Sequence, residues 1–105
     1  VPLQTGVVVR CRPLGVLKME DEGGQDAKLI AVPVDKLSTL YRGMQSHTDL
    51  PEITLKQIAH FFEHYKDLEP NKWVKIQGWF GVEEARAEIM SSVANYQAAA
   101  VKPAF

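Results

Sequence analysis

The sequence predicts a mainly β domain with helices (α+β): an antiparallel sheet or incomplete barrel with two helices packed against it. Three observations carry this. Short β-branched or alternating apolar runs recur before residue 34 and again near residue 74. Apolar side chains at three- and four-residue spacing mark two helices, one after residue 49 and one after residue 82. The order strand, strand, strand, helix, strand, helix suits helices gathered against a sheet. At 105 residues the chain has room for one domain, spanning 1–105, and is too short for two.

Taken in order, Val7 to Arg12 reads as a strand that Pro13 and Gly15 interrupt, a pattern expected of a bulge or barrel corner. Val16 to Met19 resumes it. Glu20 to Gln25 forms a polar turn around Gly23-Gly24, and Asp26 to Val32 returns until Pro33 stops it, which completes a hairpin with an acidic tip. Asp35 to Asp49 has no sustained period and reads as a loop, with a short helical turn at Lys36-Leu37. The first helix starts at Asp49 or Leu50, with Pro51 in its first turn and Glu52 facing the positive helix end. Leu55, Ile58, Phe61, Phe62, Tyr65 and Leu68 form its apolar face, and Pro70-Asn71 ends it. Lys72 to Gln77 alternates as a strand closed by Gly78. Val82 to Tyr96 is the second helix, with Ala85, Ile89 and Val93 on one face, and residues 98–105 read as a flexible tail.

Composition excludes several classes. Twelve basic and 13 acidic residues give a net charge of −1, which argues against a protein built to grip nucleic acid. The one cysteine, Cys11, permits no intrachain disulfide, suits a reducing, cytoplasmic setting, and is expected to be a buried small hydrophobe. No apolar stretch approaches the ~20 residues of a membrane-spanning helix, and no signal-peptide pattern is present. The chain opens Val1-Pro2-Leu3 without Met, which is compatible with processing or with a fragment.

Glu20, Asp21, Glu22 and Asp26 place four carboxylates within seven residues. Like charges this close repel unless a cation compensates them. Carboxylates on a glycine-containing turn suit Mg²⁺ or Ca²⁺, although the run is not an EF-hand loop; a solvated turn is the simpler alternative. Asp26 and Lys28 share a strand face, either at a barrel mouth where small ligands bind or as an edge ion pair. Tyr65 and Lys66 close the first helix, where a core tyrosine with a polar tip and a dipole-stabilising lysine suffice as an explanation. His60-Phe61-Phe62-Glu63-His64 fits an H-x-x-E-H zinc pattern, but no third ligand follows in a suitable context. Trp73 and Trp79 beside Lys72 and Lys75 could stack bases; core and rim packing is the better default at this net charge.

Several segments read together carry a resemblance. Val9-Arg10-Cys11-Arg12-Pro13, Gly15 to Met19, Asp21-Glu22, Asp26 to Leu29 and Ala31-Val32-Pro33 occur in order. Asp49 to Glu52, Gln57 to Glu69, Lys72 to Lys75 and Gly78-Trp79 follow. Together they resemble the second half of the family I soluble inorganic pyrophosphatases of bacterial type. The resemblance implies an OB-like barrel, incomplete at its amino-terminal side, with a site in the barrel mouth. It implies Mg²⁺-dependent hydrolysis of diphosphate by a metal-activated water, with Asp21 and Asp26 as metal ligands. Tyr65, Lys66 and Lys28 match residues that bind phosphate oxygens, and the zinc reading of the histidines falls away. It also implies a homo-hexamer. The family's D-G-D-P-x-D signature, which carries the water-activating aspartate, and its earlier lysine, arginine and tyrosine have no counterpart in these 105 residues. The expectation is a chain with only part of the catalytic set; the competing expectation is a non-catalytic OB-like domain that binds an anion or a partner.

Overall fold

A glycine pair between two apolar runs folds the first half of the chain back on itself. The computed structural model describes residues 2–101. It places β1 at Cys11–Asp21 and β2 at Gly24–Pro33, joined by the two-residue turn Glu22-Gly23. Gly24 has φ +114, a conformation that residues with a Cβ rarely adopt. The expected interruption at Pro13-Gly15 does not break the strand. It is a register shift between Pro13 and Gly15 that leaves Leu14 as the extra residue, fully buried. The strand begins later than expected, however: Val7 to Arg10 lies outside β1. Cys11 is exposed at the outer end of β1, which corrects the expectation of a buried thiol.

β3, Val74–Phe80, pairs with the other side of β1, so the three-stranded antiparallel sheet has the order β2-β1-β3. Gly78 lies inside β3 rather than closing it. A second register shift, between Lys18 and Met19, leaves Gln77 unopposed, and Gly78 absorbs it at φ +136. Cross-strand partners share a face. Leu17, Met19 and Asp21 therefore lie on one face with Asp26, Lys28 and Ile30 of β2 and with Val74, Ile76 and Trp79 of β3. Val16 and Lys18 lie on the other, with Leu29 and Phe80.

Each face receives one helix. α1, Glu52–His64, lies on the Asp21 face, where Ile58 and Phe62 meet Lys28, Ile30 and Trp79 around an open cavity of about 350 Å³. α2, Val82–Ala98, lies on the opposite face. Ala85 is fully buried, and Lys18 binds Glu84 at 2.8 Å while its ammonium sits 4.8 Å from the Phe80 ring centroid. Two covered faces explain why β1 alternates so little: Leu14, Val16, Leu17 and Met19 are all at most 1% exposed.

The segment between β2 and α1 is a run of turns closed by a 3-10 turn at His47–Asp49. The Arg12 guanidinium ties it to β1 by donating to the carbonyls of Met44 and, at 2.7 Å, Tyr41. His47 stacks on Trp79 at 5.8 Å, and a Cβ on Gly15 would stand 2.8 Å from His47 Nδ1 and 2.7 Å from the Phe80 carbonyl oxygen. Glycine is needed at residue 15 for this close approach. α1 itself is shorter than the spacing predicts: Pro51 precedes it and Tyr65 caps it. Leu68, 99% exposed, belongs to no apolar face, because the chain has left the helix three residues earlier. α2 runs two residues past Tyr96, into the start of the expected tail; residues 102–105 of that tail lie outside the described residues.

Candidate active site at the hairpin tip

The β1-β2 turn carries its carboxylates to the point where α1 ends and β3 begins. Beyond α1 the chain turns through residues 65–73, with Asn71 at φ 62, and this returns both Lys66 and Lys72 to the hairpin. Lys66 Nζ donates to Asp21 Oδ2 at 3.1 Å and to Glu22 Oε1 at 3.2 Å. Lys72 Nζ reaches the same Glu22 oxygen at 3.2 Å, and Glu22 Oε2 accepts from the Trp73 backbone N–H at 3.4 Å. Asp21 Oδ1 accepts from the Gly23 N–H at 2.8 Å. The lysine and aspartate side chains are only 15% and 19% exposed, so the pair is partly shielded from water.

The electrostatics follow from these contacts. The Lys66 ammonium, and then the Gly23 N–H, hold the Asp21 carboxyl below its ordinary range against the opposing effect of burial. Glu22 is held down to about 2, first by its own backbone N–H, then by Lys66, Lys72 and the Trp73 N–H, with burial opposing. Lys66 is pushed up, chiefly by Asp21 and with help from Glu22. The repulsion expected among the tip carboxylates is thus relieved by lysines from the turn after α1. Lys66 lies just beyond the helix, and its ammonium is engaged by Asp21 and Glu22.

Asp26 and Lys28 form a second ion pair on the same face, at 3.0 Å, and Lys28 Nζ lies 5.5 Å from the Phe62 ring centroid. Tyr65 stacks on Phe61 at 5.4 Å and meets Phe62 edge-on at 5.6 Å; Lys66 Nζ is 5.6 Å from its ring. Of the five residues singled out in the sequence, the structure therefore joins Asp21 to Lys66, and Asp26 to Lys28, with Tyr65 beside Lys66. Two further residues enter the network: Glu22, one of the four tip carboxylates, and Lys72. Glu22 was visible as the neighbour of Asp21 at a glycine turn. Lys72 was noted only beside Trp73 and in the string of motifs, and its pairing with Glu22 appears only in the fold.

Asp21 and Asp26 are hard oxygen donors on one sheet face, and a carboxylate has about four lone-pair sites, so the bonds already made leave room for a cation. Mg²⁺ is usually held by one or two carboxylates together with waters and substrate oxygens, and this donor set fits that chemistry. Among the described residues no group of three or more His, Cys, Asp or Glu side chains converges as a complete metal site. The His60 and His64 rings stand 4.4 Å apart, and His64 Nδ1 is engaged by Asp67 at 2.9 Å. Trp79 packs on His47, in line with a packing role, while Trp73 is half-exposed. No helix among the described residues is long and apolar enough to cross a membrane.

The fold and the tip define a class: an incomplete OB-like sheet with a helix on each face and a carboxylate–lysine cluster at one end. The family model described as inorganic pyrophosphatase matches residues 1–97, and the chain belongs to that family. It is 59% identical over 96 residues to the inorganic pyrophosphatase of Pseudomonas aeruginosa, covering 91% of this chain and 55% of that protein. Against the inorganic pyrophosphatase of Escherichia coli K12 it is 63% identical over 91 residues, covering 87% and 52%. The solved inorganic pyrophosphatase of Coxiella burnetii superposes with a TM-score of 0.85 at 50% identity, over 90% of this chain and 56% of that one. That of Helicobacter pylori also gives 0.85, at 48% identity and the same coverage. The chain spans about half the length of the relatives it matches.

Proposed function

We propose that the protein hydrolyses inorganic diphosphate to two phosphates with Mg²⁺, and that these residues supply one part of the site. Asp21 and Asp26 hold metal; Lys28, Tyr65 and Lys66 bind phosphate oxygens. The observation that supports the reading is the contact of Asp21 with Lys66, 45 residues apart in sequence, which sets a carboxylate and an ammonium side by side. Diphosphate hydrolysis needs that combination, because its transition state spreads negative charge over phosphoryl oxygens. When bound, the metal supplies charge neutralisation and a water of lowered pKa. The chain's own part is to orient: Lys66 and Lys28 present ammonium groups toward the oxygens, and the Tyr65 ring, braced by Phe61 and Phe62, fixes where its hydroxyl is presented. The family relationship supports a cytoplasmic homo-hexamer as the working form, with diphosphate and phosphate as its ligands and neither nucleic acid nor membrane as a partner.

The test is Mg²⁺-dependent phosphate release from diphosphate. A protein that supplies the rest of the family's catalytic set turns over, and Asp26→Asn or Lys66→Met lowers kcat/KM by about a hundredfold or more, the scale of losing one transition-state donor. The 105 residues alone release phosphate slowly or not at all; full turnover by them would overturn the partial-site reading. Specific binding of an anion that is indifferent to Mg²⁺ and to Asp21→Asn would instead favour a non-catalytic anion-binding domain.

A further inference from the structure

Glu22 is the most heavily engaged side chain of the tip, yet the hydrolysis reading gives it no task. Its Oε1 accepts from both Lys66 and Lys72 at 3.2 Å, and its Oε2 from the Trp73 N–H at 3.4 Å. Three groups from the turn after α1 therefore fix the position of one carboxylate. Asp21, by contrast, shares its Oδ2 with Lys66 and, among the described residues, has the Gly23 N–H on its other oxygen. If Asp21 is to serve a cation, as the reading above has it, its carboxylate faces two positive charges, and like charges so close repel. Lys66 would be driven from the tip unless a second anion held it.

We propose that Glu22 is the positioning residue for Lys66: it retains the lysine at the tip when Asp21 is committed to a cation, and so keeps its ammonium directed at phosphate. Glu22 suits this because its anchors differ from those of Asp21. Lys72 and the Trp73 N–H hold Glu22 whether or not Asp21 is engaged. The inference rests on the assignment of Asp21 as a metal ligand.

A double-mutant cycle on the full chain tests it, read by calorimetric titration with Mn²⁺ and then with inorganic phosphate in saturating Mn²⁺. Glu22→Gln is expected to weaken phosphate binding about tenfold. Lys66→Met is expected to weaken it at least as much, and the double variant no further than Lys66→Met. For Mn²⁺ alone, Glu22→Gln weakens binding in the presence of Lys66, which then leans wholly on Asp21, and has no effect in the Lys66→Met background. Glu22→Asp, which keeps the charge, restores most of both affinities; should Glu22→Gln fail to give a cooperative thermal transition, Glu22→Ala carries the same cycle. Additive losses in the cycle overturn the proposal, since Glu22 then acts independently of Lys66, and they leave the metal assignment standing. Unchanged Mn²⁺ binding in Asp21→Asn removes that assignment, and the Glu22 proposal with it.

Discussion

In β1, four large apolar side chains are at most 1% exposed, whereas α1 buries no residue fully and leaves Ile53 and Phe61 61% and 58% exposed. Both segments are apolar runs in the sequence. They differ in what covers them. β1 is flanked by a strand on each side and a helix on each face, so burial is forced on both sets of side chains. α1 touches the sheet along one edge of its apolar stripe, through Ile58 and Phe62. Its contribution lies at its end, where Tyr65 caps it and Lys66 follows to meet the hairpin. The comparison separates two tasks: β1 carries stability, and α1 carries placement of the site.

The sharpest way to test that division is to delete buried volume. Leu17→Ala, at a fully buried apolar site, should cost about 2–5 kcal/mol by urea denaturation, from lost transfer energy plus the cavity left behind. A cost under about 1 kcal/mol would place the core elsewhere. Gly15→Ala should come next, at about 1–3 kcal/mol, because the new Cβ meets a backbone oxygen at 2.7 Å that cannot swing away. Ile53→Ala should fall within about 0.5 kcal/mol, being an exposed truncation. A loss several times larger would show that the outer face of α1 is covered in solution, and the contrast with β1 would then be one of partner rather than of role.

The smallest effect concerns the segment leading into α1. Asp49 accepts from the Gln45 and Ser46 N–H groups, at 2.8 and 3.1 Å, and these bonds lower its carboxyl from the ordinary 3.8. A carboxyl depressed in the folded state contributes stability that is fully present above 3.8 and is lost as pH falls through its lowered value. Wild type and Asp49→Ala should therefore differ slightly in thermal midpoint at neutral pH and converge in acid. A gap that widened as pH fell would reverse the sign and refute the stabilising effect of these two bonds.

The elements differ in how plainly the sequence announces them. The hairpin was legible because Gly23-Gly24 separates two apolar runs, and the bulge because Pro13 and Gly15 flank Leu14. The start of β1 was not, since Val7 to Val9 has strand composition but lies outside the paired strand. α1 was overrun at its carboxy-terminal end because Leu68 continues a three-residue spacing that the turn after Tyr65 interrupts. For the candidate site, Asp21, Asp26, Lys28, Tyr65 and Lys66 are singled out by the resemblance to the pyrophosphatases, and the contacts among them come from the structure. Residue chemistry alone left each with an ordinary structural alternative.

The sequence by itself determined the local periods, the glycine positions, the net charge and, through the order of its motifs, the family. Those are properties of neighbouring residues, or of a string compared as a string. Only the tertiary structure decided which charges meet. Lys66 reaches Asp21 and Glu22, and Lys72 reaches Glu22, because the hairpin, the helix and the turn after it bring positions more than 40 residues apart within 3.2 Å. Ion pairing of this kind depends on distance in space and on shielding from water, and neither is written in local spacing.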